Sequence, residues 1–169
     1  MGIAKYIIRF ILLVLLQVVV FKELVLFNTA MCFIYIAFLI TIPLNIGRGY
    51  TLLLGFFLGI TIDMFYNTGG VHAFACVFVA YMRPFILFKV AGEEVLEKGV
   101  IIPMDTLNWR DTVLYSLLMI SLHHVVLLFT ASFSFNLFFF TLLKIIVSTV
   151  FTSFIFLSSY YILKQSVKR

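Results

Sequence analysis

Long apolar runs, separated by short polar interruptions, fill most of this 169-residue chain. A helix needs roughly 20 predominantly apolar residues to cross the hydrocarbon core of a bilayer, which is about 30 Å thick. Hydrophobic residues make up 64% of the chain and charged residues only 11%, so few polar side chains remain to cover a water-soluble core. The sequence therefore predicts an all-α integral membrane protein with a single domain over residues 1–169.

The polar interruptions divide the chain into a predicted bundle of six transmembrane helices. They lie near residue 28 and at residues 45–49, 67–70, 91–111 and 132–136. We keep the N-terminal run as a retained first helix, because no small-residue cleavage motif of a secretory signal follows it. The predicted helices cover residues 5–24, 29–46, 49–66, 71–90, 112–131 and 136–162.

The Lys and Arg residues fall almost entirely on one side of this arrangement. Positive charge accumulates in short cytoplasmic loops, and the opposite side receives only Lys22, while Lys144 lies inside the sixth helix. Both termini are therefore expected in the cytoplasm. The basic residues on the cytoplasmic side are Lys5, Arg9, Arg48, Arg83, Lys89, Lys98, Arg110, Lys164, Lys168 and Arg169.

Residues 91–111 form the only sizeable polar segment and are predicted to be a cytoplasmic connector. The glutamates that begin at Glu93 favour a short surface helix, which Pro103 would end. Trp109 and Arg110 suit the membrane interface. Two interpretations stay open, a solvated connector or a docking surface for a cytoplasmic partner.

A stripe of small and polar residues follows one face of the third predicted helix, because residues spaced by four lie on the same side of a helix. Its members are Thr51, Gly55, Gly59, Asp63 and Asn67. Gly55 and Gly59 form a small-xxx-small pair, which lets another helix approach closely in lipid. We expect this pair to be a helix-packing surface.

Asp63 lies near the outer end of this helix, where an ionised carboxylate in hydrocarbon would cost a few kcal/mol. Its side chain must therefore face protein or water. Three interpretations stay open: a half-hydrated carboxylate, a cap for the turn at 67–70, or a buried tie to a neighbouring helix, with Lys144 as a candidate partner.

Polar residues also recur at helical spacing in the fifth and sixth predicted helices. Lipid penalises such stripes unless they face each other or an enclosed cavity. We therefore predict a polar interior in the outer half of the bundle, with an intramembrane cluster of Asp63, His123, Lys144 and Ser148. The stripes consist of Thr112, Ser116, His123 and Thr130 in the fifth helix, and of Thr141, Lys144, Ser148, Thr152 and Ser159 in the sixth.

These residues do not form a catalytic or metal-binding pattern. His123 and His124 are adjacent on a helix, so their side chains diverge by about 100° and are poorly placed to hold one metal ion. No nucleophile motif or Gly-rich phosphate loop occurs, and Arg48, Arg83 and Arg110 are interpreted as helix-end anchors. We expect no enzyme activity, no metal, no cofactor and no nucleic-acid partner.

Other residues that interrupt the apolar runs are interpreted as structural. Cys32 and Cys76 lie far apart in sequence and are predicted to be buried free thiols rather than a disulfide. Gln17 is predicted to form an interhelical hydrogen bond, and Pro43 to be a tolerated kink near the membrane interface.

Residues 55–84, GFFLGITIDMFYNTGGVHAFACVFVAYMRP, resemble the signature region of the rod shape-determining protein MreD family. In that family a Gly-rich helix with an Asp leads through a Gly-containing turn and a Gly-x-His-like start into a second apolar helix, which ends with an aromatic and a basic residue. The chain length, the basic N-terminus, Gln17 and the six predicted helices are also similar to MreD. The matching residues are Gly55, Gly59, Asp63, Gly70, His72, Tyr81 and Arg83.

The resemblance implies a noncatalytic scaffold or regulatory subunit of the bacterial cell-elongation complex, which controls cell shape during lateral peptidoglycan synthesis in the cytoplasmic (inner) membrane. It implies a bundle similar to the substrate-binding component of energy-coupling-factor transporters. The implied partners are the MreC transmembrane helix, MreB, the glycosyltransferase and transpeptidase pair, and membrane lipids. Gly55, Gly59, Asp63, Gly70 and His72 would serve helix packing or partner binding, and a homo-oligomer through the glycines stays open.

Two functional hypotheses follow. In the first, a groove between helices receives the transmembrane helix of MreC, and Asp63 and Lys144 are structural ties. In the second, the chain is the small-molecule (vitamin-like) substrate-binding subunit of a membrane transporter, and Asp63, His72, His123 and Lys144 bind the ligand.

Overall fold

The computed structural model describes residues 3–26, 29–43, 46–92, 104–132 and 138–167, and most of these residues are helical. Helix α1 (Ile3–Leu16) continues into a π-helical turn, Gln17–Phe21. A short antiparallel hairpin pairs β1 (Val25–Leu26) with β2 (Ala30–Met31). Two 3-10 turns lie at Ile34–Ile36 and Met104–Thr106. The other helices are α2 (Ala37–Thr41), α3 (Arg48–Tyr66), α4 (Val71–Ala91), α5 (Trp109–Ser132) and α6 (Phe138–Val167).

Within the described ranges, five helices are long and apolar enough to cross a membrane, as a multi-pass membrane protein requires. They correspond to the first, third, fourth, fifth and sixth predicted helices. α5 begins at Trp109, so the end of the predicted connector is already helical. The predicted surface helix at Glu93 and its stop at Pro103 lie outside the described residues. The membrane-length helices are Ala4–Phe21, Arg48–Tyr66, Val71–Ala91, Trp109–Ser132 and Phe138–Lys164.

The prediction of one continuous helix over residues 29–46 is wrong. The described part, residues 29–43, is here called the central segment, and it passes from β2 through the first 3-10 turn into the five-residue α2. Pro43 disfavours helical geometry in the residue before it, and Ile42 is extended, with φ −61° and ψ 138°. The chain unwinds before α2 because side chains of neighbouring helices satisfy the backbone groups, which lipid cannot do.

The contour of the central segment, measured along the chain, is comparable in length with the hydrocarbon core of a bilayer. An extended chain rises about 3.3 Å per residue, a 3-10 turn about 2.0 Å and an α-helix about 1.5 Å. Applied to residues 29–33, Ile34–Ile36 and Ala37–Thr41, these values give a length of about 30 Å, which is the thickness of the hydrocarbon core.

The long helices enclose the central segment. α3, α4, α5 and α6 pack on one another in chain order, α6 also contacts β2, and α1 contacts the first 3-10 turn, α2 and α3. Most side chains of the central segment are consequently buried, and Tyr35, Ile36, Leu39 and Ile40 have no exposed surface. The β hairpin and the α3–α4 turn lie at one end of the bundle, here called the hairpin end, where Lys22 donates to the carbonyl of Phe65 at 3.0 Å.

The closest contact between long helices joins α3 to α4 and uses the two predicted glycines. A Cβ added at Gly55 would lie 3.1 Å from the carbonyl oxygen of Cys76. A Cβ added at Gly59 would lie 2.5 Å from the carbonyl oxygen of His72 and from the backbone nitrogen of Ala73. The small-xxx-small pair therefore packs against a helix of the same chain, which fills this face and leaves no room there for a second copy.

Candidate functional site in the membrane interior

Asp63 caps the N-terminus of α4 from the preceding helix. Gly70 occupies the N-cap position in a left-handed conformation, with φ 92°, and has no side chain with which to cap the helix. The Asp63 carboxylate instead accepts hydrogen bonds from the backbone N–H groups of His72 at 3.0 Å and Ala73 at 2.9 Å, and from the Thr68 hydroxyl at 2.5 Å. The unpaired amides and the dipole of a helix N-terminus stabilise a negative charge. Among the interpretations left open for Asp63, the structure shows a buried tie to a neighbouring helix, since the carboxylate accepts from backbone amides of α4 and only the Thr68 side chain contacts it from the turn at 67–70.

Tyr35 of the central segment connects histidines from two different helices. Its hydroxyl lies 2.8 Å from Nδ1 of His72 on α4 and 2.8 Å from Nε2 of His123 on α5. Because a hydroxyl carries one proton, Tyr35 donates to one ring and accepts from the other, so the two histidines have opposite hydrogen-bonding roles. All three side chains are buried, and within the described part of the chain Nδ1 of His123 has no hydrogen-bond partner.

Gln17 holds the central segment to the hairpin end. Its Nε2 donates to the carbonyl of Cys32 at 3.0 Å and to the hydroxyl of Tyr66 at 2.7 Å, and its Oε1 accepts from the backbone N–H of Tyr35 at 3.4 Å. The predicted interhelical hydrogen bond of Gln17 is therefore present and joins α1 to the last residue of α3. Gln17 also begins the π-helical turn, a distortion that often accompanies functional positions in helices.

Two hydroxyls of α6 bond to the unwound backbone of the central segment. Ser148 Oγ accepts from the backbone N–H of Met31 at 3.0 Å, and Thr152 Oγ1 accepts from the backbone N–H of Phe33 at 3.2 Å. Nε2 of His124 on α5 also lies 3.2 Å from Thr152 Oγ1. This part of the polar stripe of α6 therefore faces protein backbone rather than an open cavity.

A second group of hydrogen bonds, away from the hairpin end, centres on Arg83. Its guanidinium donates to the carbonyls of Ile42 and Pro43, and its Nε donates to the hydroxyl of Tyr115 at 2.9 Å. Arg83 is only 3% exposed and lies well before the end of α4 at Ala91. The interpretation of Arg83 as a helix-end anchor is therefore wrong, because the unpaired carbonyls that follow α2 provide acceptors inside the bundle.

The predicted intramembrane cluster is present in part. His123 and Ser148 contact the first half of the central segment, at Tyr35 and Met31 respectively, while Asp63 bonds to the start of α4 beside His72, which also contacts Tyr35. Lys144 does not join them, because its ammonium lies 4.7 Å from the ring centroid of Phe140 on its own helix. The tie between Asp63 and Lys144, which was one of the open interpretations, does not form: the amides of α4 bond to the carboxylate, and the ammonium lies on an aromatic ring.

The predicted polar stripes also end earlier than expected. Asn67 is exposed where α3 stops, and Ser159 is exposed and donates to the carbonyl of Ile155 in its own helix at 2.7 Å. A hydroxyl can satisfy itself on the preceding helical turn, so spacing alone does not show that it faces the interior. The stripe residues that are buried are Thr51, Gly55, Gly59 and Asp63 in α3, Thr112, Ser116 and His123 in α5, and Thr141, Ser148 and Thr152 in α6.

Tyr35 and Tyr115 have central positions that the sequence analysis did not identify. A tyrosine in an apolar run looks like an ordinary lipid-facing or packing residue, so composition gives no direct signal for either one. Arg83 did carry a signal, because an arginine far from the ends of an apolar helix needs buried acceptors. Its acceptors are the hydroxyl of Tyr115 and the carbonyls of Ile42 and Pro43.

The polar groups of this interior form a hydrogen-bonded network between the helices and the central segment. No group of three or more His, Cys, Asp or Glu residues that could hold a metal ion occurs in the part of the chain that the structure describes. Cys32 and Cys76 are buried free thiols, as predicted. The network connects the central segment to α1, α3, α4, α5 and α6, and its main chemical effect is to fix these elements relative to one another.

Replacing Tyr35 with Phe tests the histidine bridge. The variant keeps the aromatic ring but leaves two buried imidazole nitrogens without their common partner, so we expect a loss of about 2 kcal/mol in the free energy of unfolding. The melting temperature can be followed in detergent with a thiol-reactive fluorogenic dye, because Cys32 and Cys76 become accessible only on unfolding. Tyr81→Phe is the matched control, since Tyr81 is 52% exposed. Equal melting temperatures for the two variants would contradict the bridge.

Comparison of the chain with protein-family models, with curated proteins and with solved structures found no match.

Proposed function

We propose that this protein is a noncatalytic membrane scaffold of the bacterial cell-elongation complex, in which it binds the transmembrane helix of MreC. The proposal rests on the resemblance of residues 55–84 to the MreD family, together with the way the bundle uses those residues. Gly55 and Gly59 bring α3 against α4, while Asp63 and His72 fix the start of α4. The residues that carry the resemblance therefore determine a rigid bundle, which suits a scaffold.

The observation that carries the choice of a scaffold over a receptor is that Asp63, His72 and His123 already bond to other groups of the protein. The transporter hypothesis needs Asp63, His72, His123 and Lys144 as ligand-binding groups. Asp63 is saturated by three donors, and His72 and His123 share the hydroxyl of Tyr35. A vitamin-like solute would have to break these bonds in order to bind, which costs the full desolvation of each group.

The surface that best suits a partner helix lies on α1. Of residues Ala4–Phe21, the membrane-length part of the first helix, only 11% are buried in the bundle. The corresponding share in α5 is 50%. One face of α1 and of the turn that follows it is an open, wholly apolar surface, and its residues Leu12, Leu15 and Val19 are 56%, 55% and 71% exposed. Helices associate in lipid by close packing along such faces. This surface consists of Ile8, Ile11, Leu12, Leu15, Leu16, Val19 and Val20.

In this proposal the protein is a multi-pass component of the bacterial inner membrane with both termini in the cytoplasm. MreC would pack along α1, and MreB with the glycosyltransferase and transpeptidase pair would join through the assembled complex. The bias of Lys and Arg toward one side of the bundle supports this orientation.

Cysteine crosslinking tests the proposed MreC surface. Single cysteines at Leu12 and Val19 on α1 are compared with cysteines at Val150 and Phe154 on α6, which are 64% and 70% exposed. In bacterial membranes that contain MreC with a cysteine in its transmembrane helix, we expect disulfide-linked heterodimers from the α1 positions only. Equal crosslinking from α6, or crosslinking from α6 alone, would contradict the assignment of α1 as the partner surface.

A further inference from the structure

A small cavity opens between α3 and α4, at the end of the bundle away from the hairpin. Its volume is about 40 Å³, and its polar lining comes from Arg48, Thr51 and Arg83. One water-sized group needs roughly 10 to 15 Å³ of such space, so the cavity accepts about three groups of that size. The remaining lining is apolar and comes largely from α4. The cavity therefore combines two cations with a shape that admits only a small ligand group.

Arg83 provides uncommitted donors in this cavity. A guanidinium has five N–H groups in a rigid fork, and the hydrogen bonds described above use three of them, on Tyr115, Ile42 and Pro43. None of these acceptors carries a full negative charge. A cation that is 97% buried gains most from an anionic partner, because the surroundings screen its charge weakly.

Arg48 and the start of α3 add to the positive potential. Gly47, the N-cap residue of α3, makes no side-chain cap, and the amides at a helix N-terminus attract anions. Arg48 is exposed, and its guanidinium carbon lies 5.7 Å from the ring centroid of Phe85 on α4, which holds the side chain beside the cavity. Oxyanions with a fork-shaped oxygen pair, such as phosphate, suit arginine geometry best.

We propose that this cavity receives the outer oxygens of a phosphate group, presented by an anionic phospholipid or free in solution. The cavity lies where α3 begins, at the level at which a membrane-spanning helix enters the headgroup region, so a lipid phosphate reaches it from the bilayer. Binding there would join α3, α4 and the end of the central segment through Arg83. This site is independent of the proposed contact with MreC.

Thermal melting of the full chain in dodecyl maltoside tests the proposal, with dioleoyl phosphatidylglycerol, dioleoyl phosphatidylcholine or sodium phosphate as the added probe. A ligand that binds only the folded state raises the melting temperature. We expect phosphatidylglycerol to raise it and phosphatidylcholine, which has no net charge, to raise it less. If sodium phosphate also raises the melting temperature, free phosphate is a second ligand of the cavity. If only phosphatidylglycerol raises it, the phosphate that binds is presented by the lipid.

Arg48→Gln is the decisive variant, because Arg48 is exposed and its loss leaves the bonds of Arg83 in place. We expect it to lose more than half of the increase in melting temperature. Lys89→Gln is the matched control, since Lys89 is an exposed cation in the last turn of α4. The proposal is overturned if no probe stabilises the wild-type chain, or if Arg48→Gln responds to phosphatidylglycerol as fully as Lys89→Gln.

Discussion

Gly59→Ala is expected to destabilise the protein by about 3 kcal/mol or more, although alanine is the better helix former. The new methyl group would lie 2.5 Å from the carbonyl oxygen of His72. Backbone atoms cannot move away as a flexible side chain can, so α3 and α4 must separate. This separation would also draw Asp63 away from the start of α4. A loss of this size lowers the melting temperature by roughly 10 °C, which the thiol-dye assay in detergent can measure.

The other glycines of α3 provide a graded control. Gly55→Ala places a methyl group 3.1 Å from the carbonyl oxygen of Cys76, a tight contact that small shifts relieve, so we expect an intermediate loss. Gly49→Ala meets nothing within 4 Å and should be neutral or stabilise by up to about 1 kcal/mol through helix propensity. Equal stability of the three variants would show that the α3–α4 contact is not the close one described here.

Asp63→Ala is expected to cost about 4 kcal/mol in the free energy of unfolding. The substitution leaves the buried backbone N–H groups of His72 and Ala73 unpaired and removes the charge that complements the helix dipole. The start of α4 should then fray, and the Tyr35 contact with His72 should loosen with it. Melting in detergent measures the loss of stability, and recovery of MreC on co-purification measures the effect on assembly.

Two conservative substitutions test separately the charge of Asp63 and its hydrogen bond with Thr68. Asp63→Asn keeps one acceptor oxygen but presents an amide donor to the helix N-terminus, so we expect a smaller loss with some protein still inserted and weaker MreC recovery. Thr68→Val removes the hydroxyl bond alone and should cost about 1 kcal/mol. If MreC recovery by Asp63→Asn matched the wild type, the cap would be irrelevant to assembly even where it stabilises the chain.

The long helices could be predicted from the sequence because lipid requires apolar runs of a fixed length, and polar residues at the ends mark where they stop. The predicted and observed limits of α3 and α4 differ by a single residue at most, at Arg48 and Ala91. Both helices end at glycines or in the turn at 67–70, which the sequence displays directly. Hydropathy was therefore sufficient to locate those apolar segments that form one continuous helix.

The central segment could not be predicted, because its conformation depends on residues far away in the chain. Its apolar side chains suit a helix and an extended strand equally. What decides between them is the supply of hydrogen bonds from Gln17, Ser148 and Thr152, and their positions around the segment are a property of the folded bundle. Only Pro43 gave a local sign that the helix is short.

The candidate site, like the fold, could be predicted only in part. Helical spacing identified Asp63, His123 and Ser148 as interior residues, because spacing fixes the face of a helix. It did not determine which residues touch, so Lys144 was expected beside Asp63 although it rests on Phe140. Which residues of two helices touch depends on how each helix is rotated about its axis and on its depth in the membrane. Neither quantity can be read from a single sequence.

The central segment has a consequence for the order in which this protein is made. Met31 and its acceptor Ser148 are separated by 117 residues, so at typical rates of synthesis the ribosome finishes α6 roughly ten seconds after the segment leaves the translocon. During that interval its backbone has no acceptors from α6, and a membrane does not tolerate bare amides. The segment must therefore stay helical or remain at the membrane surface during that interval, and it reaches its final conformation only after α6 has been made.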